Sequence, residues 1–217
     1  DDIREVTVFR EVHGGRTDPY FSPHLDPDSP IFEVRPNVVP VQARPARIPL
    51  LAVTHTLNCD GAPLAEFELL SRLKASGSID PVVLSPHDGP LREDYERAGI
   101  PVEIEPVEAH LSATARYEAL ISRLARRMNQ GRFDVVHANT LVTFWAVDAA
   151  RRAGIPSIWS VHESERWETY FDHLPKEIGR TALSCMAYPY RVVFCSRASS
   201  FAWHALESTW NYSLIRS

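Results

Sequence analysis

Long apolar runs are missing. No stretch approaches the roughly 20 consecutive apolar residues that a membrane-spanning helix requires, so no helical span is expected. A secretory leader is not legible either: Asp1-Asp2-Ile3-Arg4 is acidic where such a segment would be basic and then apolar. There is no initiator Met, and the chain is expected to be a piece of something longer. Basic charge is not in excess: 23 Lys and Arg stand against 28 Asp and Glu, a formal net charge of −5. That removes the electrostatic footprint of a nucleic-acid-binding domain, and no nucleic-acid partner is expected. Cysteine is scarce. The 3 present, Cys59, Cys185 and Cys195, are odd in number and without CxxC spacing, which argues against a disulfide framework or a zinc ribbon. They read as small buried hydrophobes in a reducing cytoplasm. What remains, 44% hydrophobic and 24% charged residues, is the composition of an ordinary globular protein with one sizeable core. A chain of 217 residues is near the upper size for a single domain.

The text changes character near residue 49. Of 17 prolines, those at 19, 23, 27, 30, 36, 40, 45 and 49 fall in the first part, with no amphipathic period among them. Proline fixes φ and removes a ladder donor, so residues 1–48 read as an irregular arm or the end of a preceding domain, with at most a short strand at Val6 to Phe9. Asp26-Pro27-Asp28 has the spacing of a metal-binding Asp pair, but in a proline-rich turn it reads as turn chemistry.

From residue 49 to 217, short apolar runs alternate with longer helical patterns. The runs are Leu50 to Thr54, Pro81 to Ser85, Val102 to Ile104, Asp134 to Ala138, Ser157 to Val161 and Arg191 to Cys195. They are rich in Val and Ile and do not alternate with polar residues, the pattern of strands buried on both faces of a parallel sheet. Helices are expected near 62–76, 90–98, 112–130, 143–153, 166–187 and 197–208. In the first, Leu64, Phe67, Leu70 and Leu73 give an apolar stripe. Gly77, Gly99, Gly131 and Gly154 follow four of these helices as caps. Strand and helix repeated in this way predict an α/β fold with a doubly wound parallel sheet.

In such sheets ligands bind beyond the carboxyl ends of the strands. Four of 9 histidines fall there: His55, His87, His137 and His162. They come from four strands with no short-range ligand pair, so no metal is expected. Asn58-Cys59-Asp60-Gly61-Ala62-Pro63 joins the first strand to the first helix, with one glycine and no lysine, so it is neither GxGxxG nor a P-loop. It has two readings: helix N–H groups that receive a phosphate, or an ordinary start capped by Asp60 with Pro63 in the first turn. Further polar clusters are Asn139-Thr140, Glu163-Ser164-Glu165 and Ser196-Arg197. Only one of Glu163 and Glu165 should face a cleft, since they lie two apart; the other reading is solvated acids at a helix start. Arg123, Arg126, Arg127 and Arg132 form a basic face opposite Leu120, Ile121, Leu124 and Met128. That face is either the solvated side of a packed helix or a peripheral contact with anionic lipid at the inner face of the membrane. Trp145, Trp159, Trp167, Trp203 and Trp210 share no period and read as core or domain contact.

Six segments in order resemble the N-terminal domain of glycosyltransferase family 4. They are Leu50 to Thr56 with Asp60-Gly61-Ala62; Asp88 to Glu93; Ala98 to Val102; Phe133 to Thr140; Ala153 to Pro156 with Ser160-Val161-His162-Glu163; and Val193 to Ser196. The resemblance spans about residues 49–215 and implies a Rossmann-like half of a GT-B fold. It implies a retaining hexosyltransferase of carbohydrate biosynthesis that moves a sugar from a UDP- or GDP-linked nucleotide sugar to an acceptor. No permanently bound cofactor and no metal are implied. Gly61 and Ala62 fall on the loop that approaches the donor, with Asp60 standing where the family often has a first glycine. His162 falls on the histidine beside the transferred sugar and is the catalytic candidate; His137, Asn139 and Glu163 are placed as substrate-binding residues. The resemblance also implies a C-terminal domain, carrying most nucleotide contacts, that is not in this text. Tyr212 to Arg216 reads as the strand leading into the linker toward it, and this part alone is expected to be inactive. A non-catalytic Rossmann-like interaction module of a multidomain protein is the alternative.

Overall fold

The computed structural model describes residues 47–206 and 211–215. Apart from its last two residues, the proline-rich arm lies outside them, with its Val6 to Phe9 strand and Asp26-Pro27-Asp28, and so does Trp210. Seven strands, β1 (Ile48–Val53), β2 (Ile79–Ser85), β3 (Val102–Ile104), β4 (Val135–Asn139), β5 (Ser157–Val161), β6 (Arg191–Phe194) and β7 (Tyr212–Leu214), form one sheet in the order β3-β2-β1-β4-β5-β6-β7. Every pairing is parallel. The described helices are α1 (Gly61–Ala75), α2 (Leu91–Arg97), α3 (Thr114–Gln130), α4 (Phe144–Ala153), α5 (Trp167–Tyr170), α6 (Lys176–Ser184) and α7 (Arg197–Trp203). The chain moves outward from β1 to β3, then returns to the other side of β1 as β4. This places the topological switch point between the ends of β1 and β4.

Both faces of the sheet are covered where β1 runs, which is why that strand carries no polar alternation. Leu51 and Val53 pack with Tyr117, Leu120 and Leu124 of α3 and with Phe144 and Trp145 of α4. Leu50 and Ala52 turn the other way, to Leu57, Leu70 and Tyr95. Each such buried side chain contributes about 1.5–3 kcal/mol through lost contact with water.

Three local expectations change. The helix expected over 166–187 is two helices: the first ends at Tyr170, and the extended backbone of Pro175 opens α6. On α1 the sheet-facing positions are Pro63, Glu66 and Leu70, while Leu64 of the expected stripe is 40% exposed. A carboxylate occupies that apolar stripe because a histidine on β4 meets it. After α3 the left-handed residue is Arg132, at φ 53, rather than Gly131; a Cβ on Gly131 would strike the ring of Phe133.

Candidate active site

The loop from β1 to α1 is held in shape by its neighbours. Leu91 N–H donates to Leu57 O at 2.9 Å, and Gly89 lies so close that a Cβ there would come within 2.6 Å of the Leu57 carbonyl. Asp60 stands at the N-cap of α1, but its carboxylate accepts no bond from the helix. Pro63 has no N–H. The N–H groups of Gly61 and Ala62 therefore meet no acceptor among the described residues, and the space over Gly61 is open. A helix start in this condition can receive a hydrogen-bond acceptor.

Beyond β4 the backbone is strained. Thr140, β-branched, sits at φ 80 and ψ 157, a conformation that only glycine adopts easily and that costs about 1–3 kcal/mol. Its N–H donates to Ser160 O at 2.8 Å, and its carbonyl accepts from Trp159 Nε1 at 2.7 Å and from Thr143 Oγ1 at 2.8 Å. Glu163 completes the clamp: its carboxylate accepts from Leu141 N–H at 2.9 Å and from its neighbour's His162 N–H at 3.0 Å. Burial raises the Glu163 pKa, against the lowering effect of those N–H groups. Its oxygens are thus occupied in holding the ends of β4 and β5 together.

The buried Asn139 links two elements. Its Nδ2 donates to Ala62 O at 3.0 Å, and its Oδ1 accepts from His162 Nε2 at 2.8 Å. Because Ala62 O can only accept, the amide orientation is determined. His162 Nε2 must then carry a proton, which leaves Nδ1 as a lone pair in the neutral ring. Burial lowers the pKa of His162, with Glu66 and His137 acting in opposite senses after it, so the ring is neutral at pH 7. Cys195 Sγ lies 3.7 Å from the same Nε2, and burial raises its pKa, which keeps the thiol protonated.

His137 behaves in the opposite way. Its Nδ1 lies 2.8 Å from Glu66 Oε1 and its Nε2 lies 2.8 Å from Ser160 Oγ, with Glu66 only 3% exposed. Burial alone would lower its pKa, but the charge and hydrogen bond of Glu66 raise it overall. Acid, imidazole and hydroxyl in this order have the outline of a hydrolase relay. The three side chains come from α1, β4 and β5 and tie those elements together.

The four strand-end histidines do not converge. His137, Asn139 and His162 line a recess of about 200 Å³, with Glu66, Ser160 and Cys195. His55 and His87 line a separate cavity of about 640 Å³ with His173 and Asp60. His55 Nδ1 pairs with Thr140 Oγ1 at 3.3 Å, and burial lowers its pKa; His87 Nε2 meets Glu108 Oε1 at 2.8 Å. Among the described residues no group of three or more His, Cys, Asp or Glu side chains is placed to hold a metal ion. Gly61, Ala62 and Glu163 border neither cavity, and Glu165 is exposed. Ser196 caps α7 by accepting from Ser199 N–H at 3.0 Å. On the basic face, Arg123 and Arg127 pair with Glu105 and Glu103, while Arg126 and Arg132 are exposed. Two residues of the recess, Glu66 and Ser160, were not singled out from the sequence. Glu66 was detectable, three residues after Pro63 and four before Leu70 on one helix face.

Comparison with known proteins places this geometry in a family. The chain matches the glycosyl transferase 4-like domain over residues 61–200. Among curated proteins no sequence match is found. Similar solved structures include that of Anabaena Alr3699/HepE in complex with UDP and glucose, at 18% identity and a TM-score of 0.57 over 77% of this chain and 44% of that one. A glycosyltransferase from Rickettsia africae ESF-5 has 16% identity and a TM-score of 0.57 over 78% of this chain and 43% of its own. A UDP-N-acetylglucosamine 2-epimerase has 16% identity and a TM-score of 0.54 over 77% of this chain and 48% of its own. These likenesses show the fold, shared by a glycosyltransferase and an epimerase alike. The chain spans less than half the length of each of these three proteins.

Proposed function

Since the chain belongs to the glycosyl transferase 4-like domain family, we propose that residues 49–217 are the N-terminal, acceptor-side domain of a retaining glycosyltransferase. It would move a sugar from a UDP- or GDP-linked donor to an acceptor, with a second domain forming the other wall of the cleft. The observation that carries this reading is the link from Ala62 through Asn139 to His162. It sets a neutral imidazole beside a helix start whose first N–H groups lack acceptors, at the switch point of the sheet. In this reading Gly61 and Ala62 approach the donor, and the Nδ1 lone pair of His162 accepts from a hydroxyl of the transferred sugar. His137 and Asn139 hold that arrangement in place, and Glu163 clamps the backbone beside it. Catalysis by positioning needs both walls, so one domain alone would transfer little. Cytoplasmic placement, with Arg126 and Arg132 near anionic lipid, belongs to the same proposal.

The stereochemistry tests it. In a polypeptide carrying both domains and supplied with an α-linked nucleotide sugar, proton NMR of the new glycoside should show the small anomeric coupling of an α-linkage. A β-linked product would contradict the retaining assignment.

A second reading, a non-catalytic interaction module, is favoured by the exposure of Leu69 and Ile215, at 45% and 60%, on the rim of the smaller recess. Self-association or partner capture through that rim, without response to a nucleotide sugar, would support it.

A further inference from the structure

The larger cavity specifies the chemistry of what enters it. Its volume, about 640 Å³, is that of a small-molecule site. Its inner wall is apolar, with Val107, Phe144 and Trp145 buried and Leu111, Val142 and Leu174 half-buried. The mouth carries three exposed carboxylates, Asp60, Asp88 and Glu108, and no lysine or arginine lines it. Glu108 is matched by His87 at 2.8 Å, and Asp88 by Arg92 at 3.0 Å from outside the lining. Asp60 has no ion-pair partner among the described residues, and its carboxylate makes no capping bond at the start of α1. An anionic ligand would lose its hydration here and gain no fixed cation.

We propose that this cavity takes the acceptor, and that the acceptor is an alcohol with an uncharged apolar body, bearing neither phosphate nor carboxylate. Its apolar body lies against the Val142 and Leu174 wall, and its polar end stands at the mouth near His55 and Asp60. The assignment as acceptor rests on the transferase reading above; the ligand class rests on the lining alone.

The experiment compares hexyl β-D-glucoside with hexyl phosphate, both kept monomeric, by NMR of the chain with the Trp145 indole as reporter. The glucoside should bind saturably and shift Trp145, with hexyl phosphate about ten-fold weaker because of the carboxylates. Leu174→Asp should weaken the glucoside, and Asp60→Asn with Glu108→Gln should strengthen the phosphate selectively. The double variant, altered only at exposed side chains, guards against misfolding of Leu174→Asp. Equal or tighter binding of hexyl phosphate to the unaltered chain, or no shift of Trp145 by either, overturns the proposed class. Binding of the glucoside in a protein that ignores nucleotide sugars upholds the ligand class and overturns the acceptor role.

Discussion

Replacing His137 with alanine should cost the domain about 3–5 kcal/mol of unfolding free energy, because it strands a buried carboxylate without its partner. Glu66 is 3% exposed and sits on the sheet-facing side of α1, so it cannot turn to water without lifting the helix. The double variant Glu66→Gln with His137→Gln should recover much of that loss, since it removes both charges together. Denaturant titration of the three proteins is the check; a loss in His137→Ala within about 0.5 kcal/mol, as at an ordinary surface site, would show that the pair is not buried as described. The pair also sets the response to pH. The folded-state pKa of His137 is raised above its unfolded value, so its contribution is present in full below about pH 6.5 and is lost as pH rises through the folded pKa. His55 and His162, lowered by burial, act in the opposite sense and withdraw stability as pH falls below about 6.5. Stability should therefore decline on both sides of about pH 6.5, and Glu66→Gln should flatten the alkaline limb while steepening the acid one, because it also removes the charge that holds the His162 pKa up.

His162→Ala should lower kcat by about 100-fold in a two-domain enzyme while leaving the fold intact, since the half-exposed ring contributes orientation rather than core packing. The neutral ring supplies a lone pair at Nδ1, because Nε2–H is committed to Asn139. Protonation removes that acceptor, so kcat should fall on the acid side with an apparent pKa below the ordinary histidine value. Asn139→Asp provides the control: a carboxylate beside Nε2 would hold the proton and move the acid limb to higher pH. A His162→Ala enzyme that turns over like the wild type removes the residue from the reaction, and an acid limb unmoved in Asn139→Asp removes Asn139 as the group that sets its tautomer.

The order of strands and helices was legible because strands buried on both faces read as unbroken apolar runs, and six such runs, 50–54 to 191–195, correspond to β1 through β6. The interruption at Pro175 was visible as a residue but not weighed against the helical period around it. The side on which α1 packs was misjudged for a physical reason. A period argument assigns the stripe to Leu64, Phe67 and Leu70, whereas the real stripe includes Glu66 because a charge can be buried when His137 meets it from β4. That partner is 71 residues away in sequence and invisible to any local pattern. The site was legible in part for the same reason. Strand-end position singled out His137, Asn139 and His162, but their division from His55 and His87 into two cavities depends on which face of the sheet each side chain takes. Asp60 shows the limit most clearly: residue type predicts a capping carboxylate, and the structure has the position without the bond.

The most direct test of the central claim is a titration of this chain with UDP-glucose, followed by amide and imidazole NMR at millimolar ligand. Binding should be weak, with shifts concentrated at Gly61, Ala62, Asn139 and His162, and with His162 Nε2–H retained. A well-folded chain whose resonances at those four residues move with neither UDP-glucose nor a GDP-linked sugar at any accessible concentration would contradict the account.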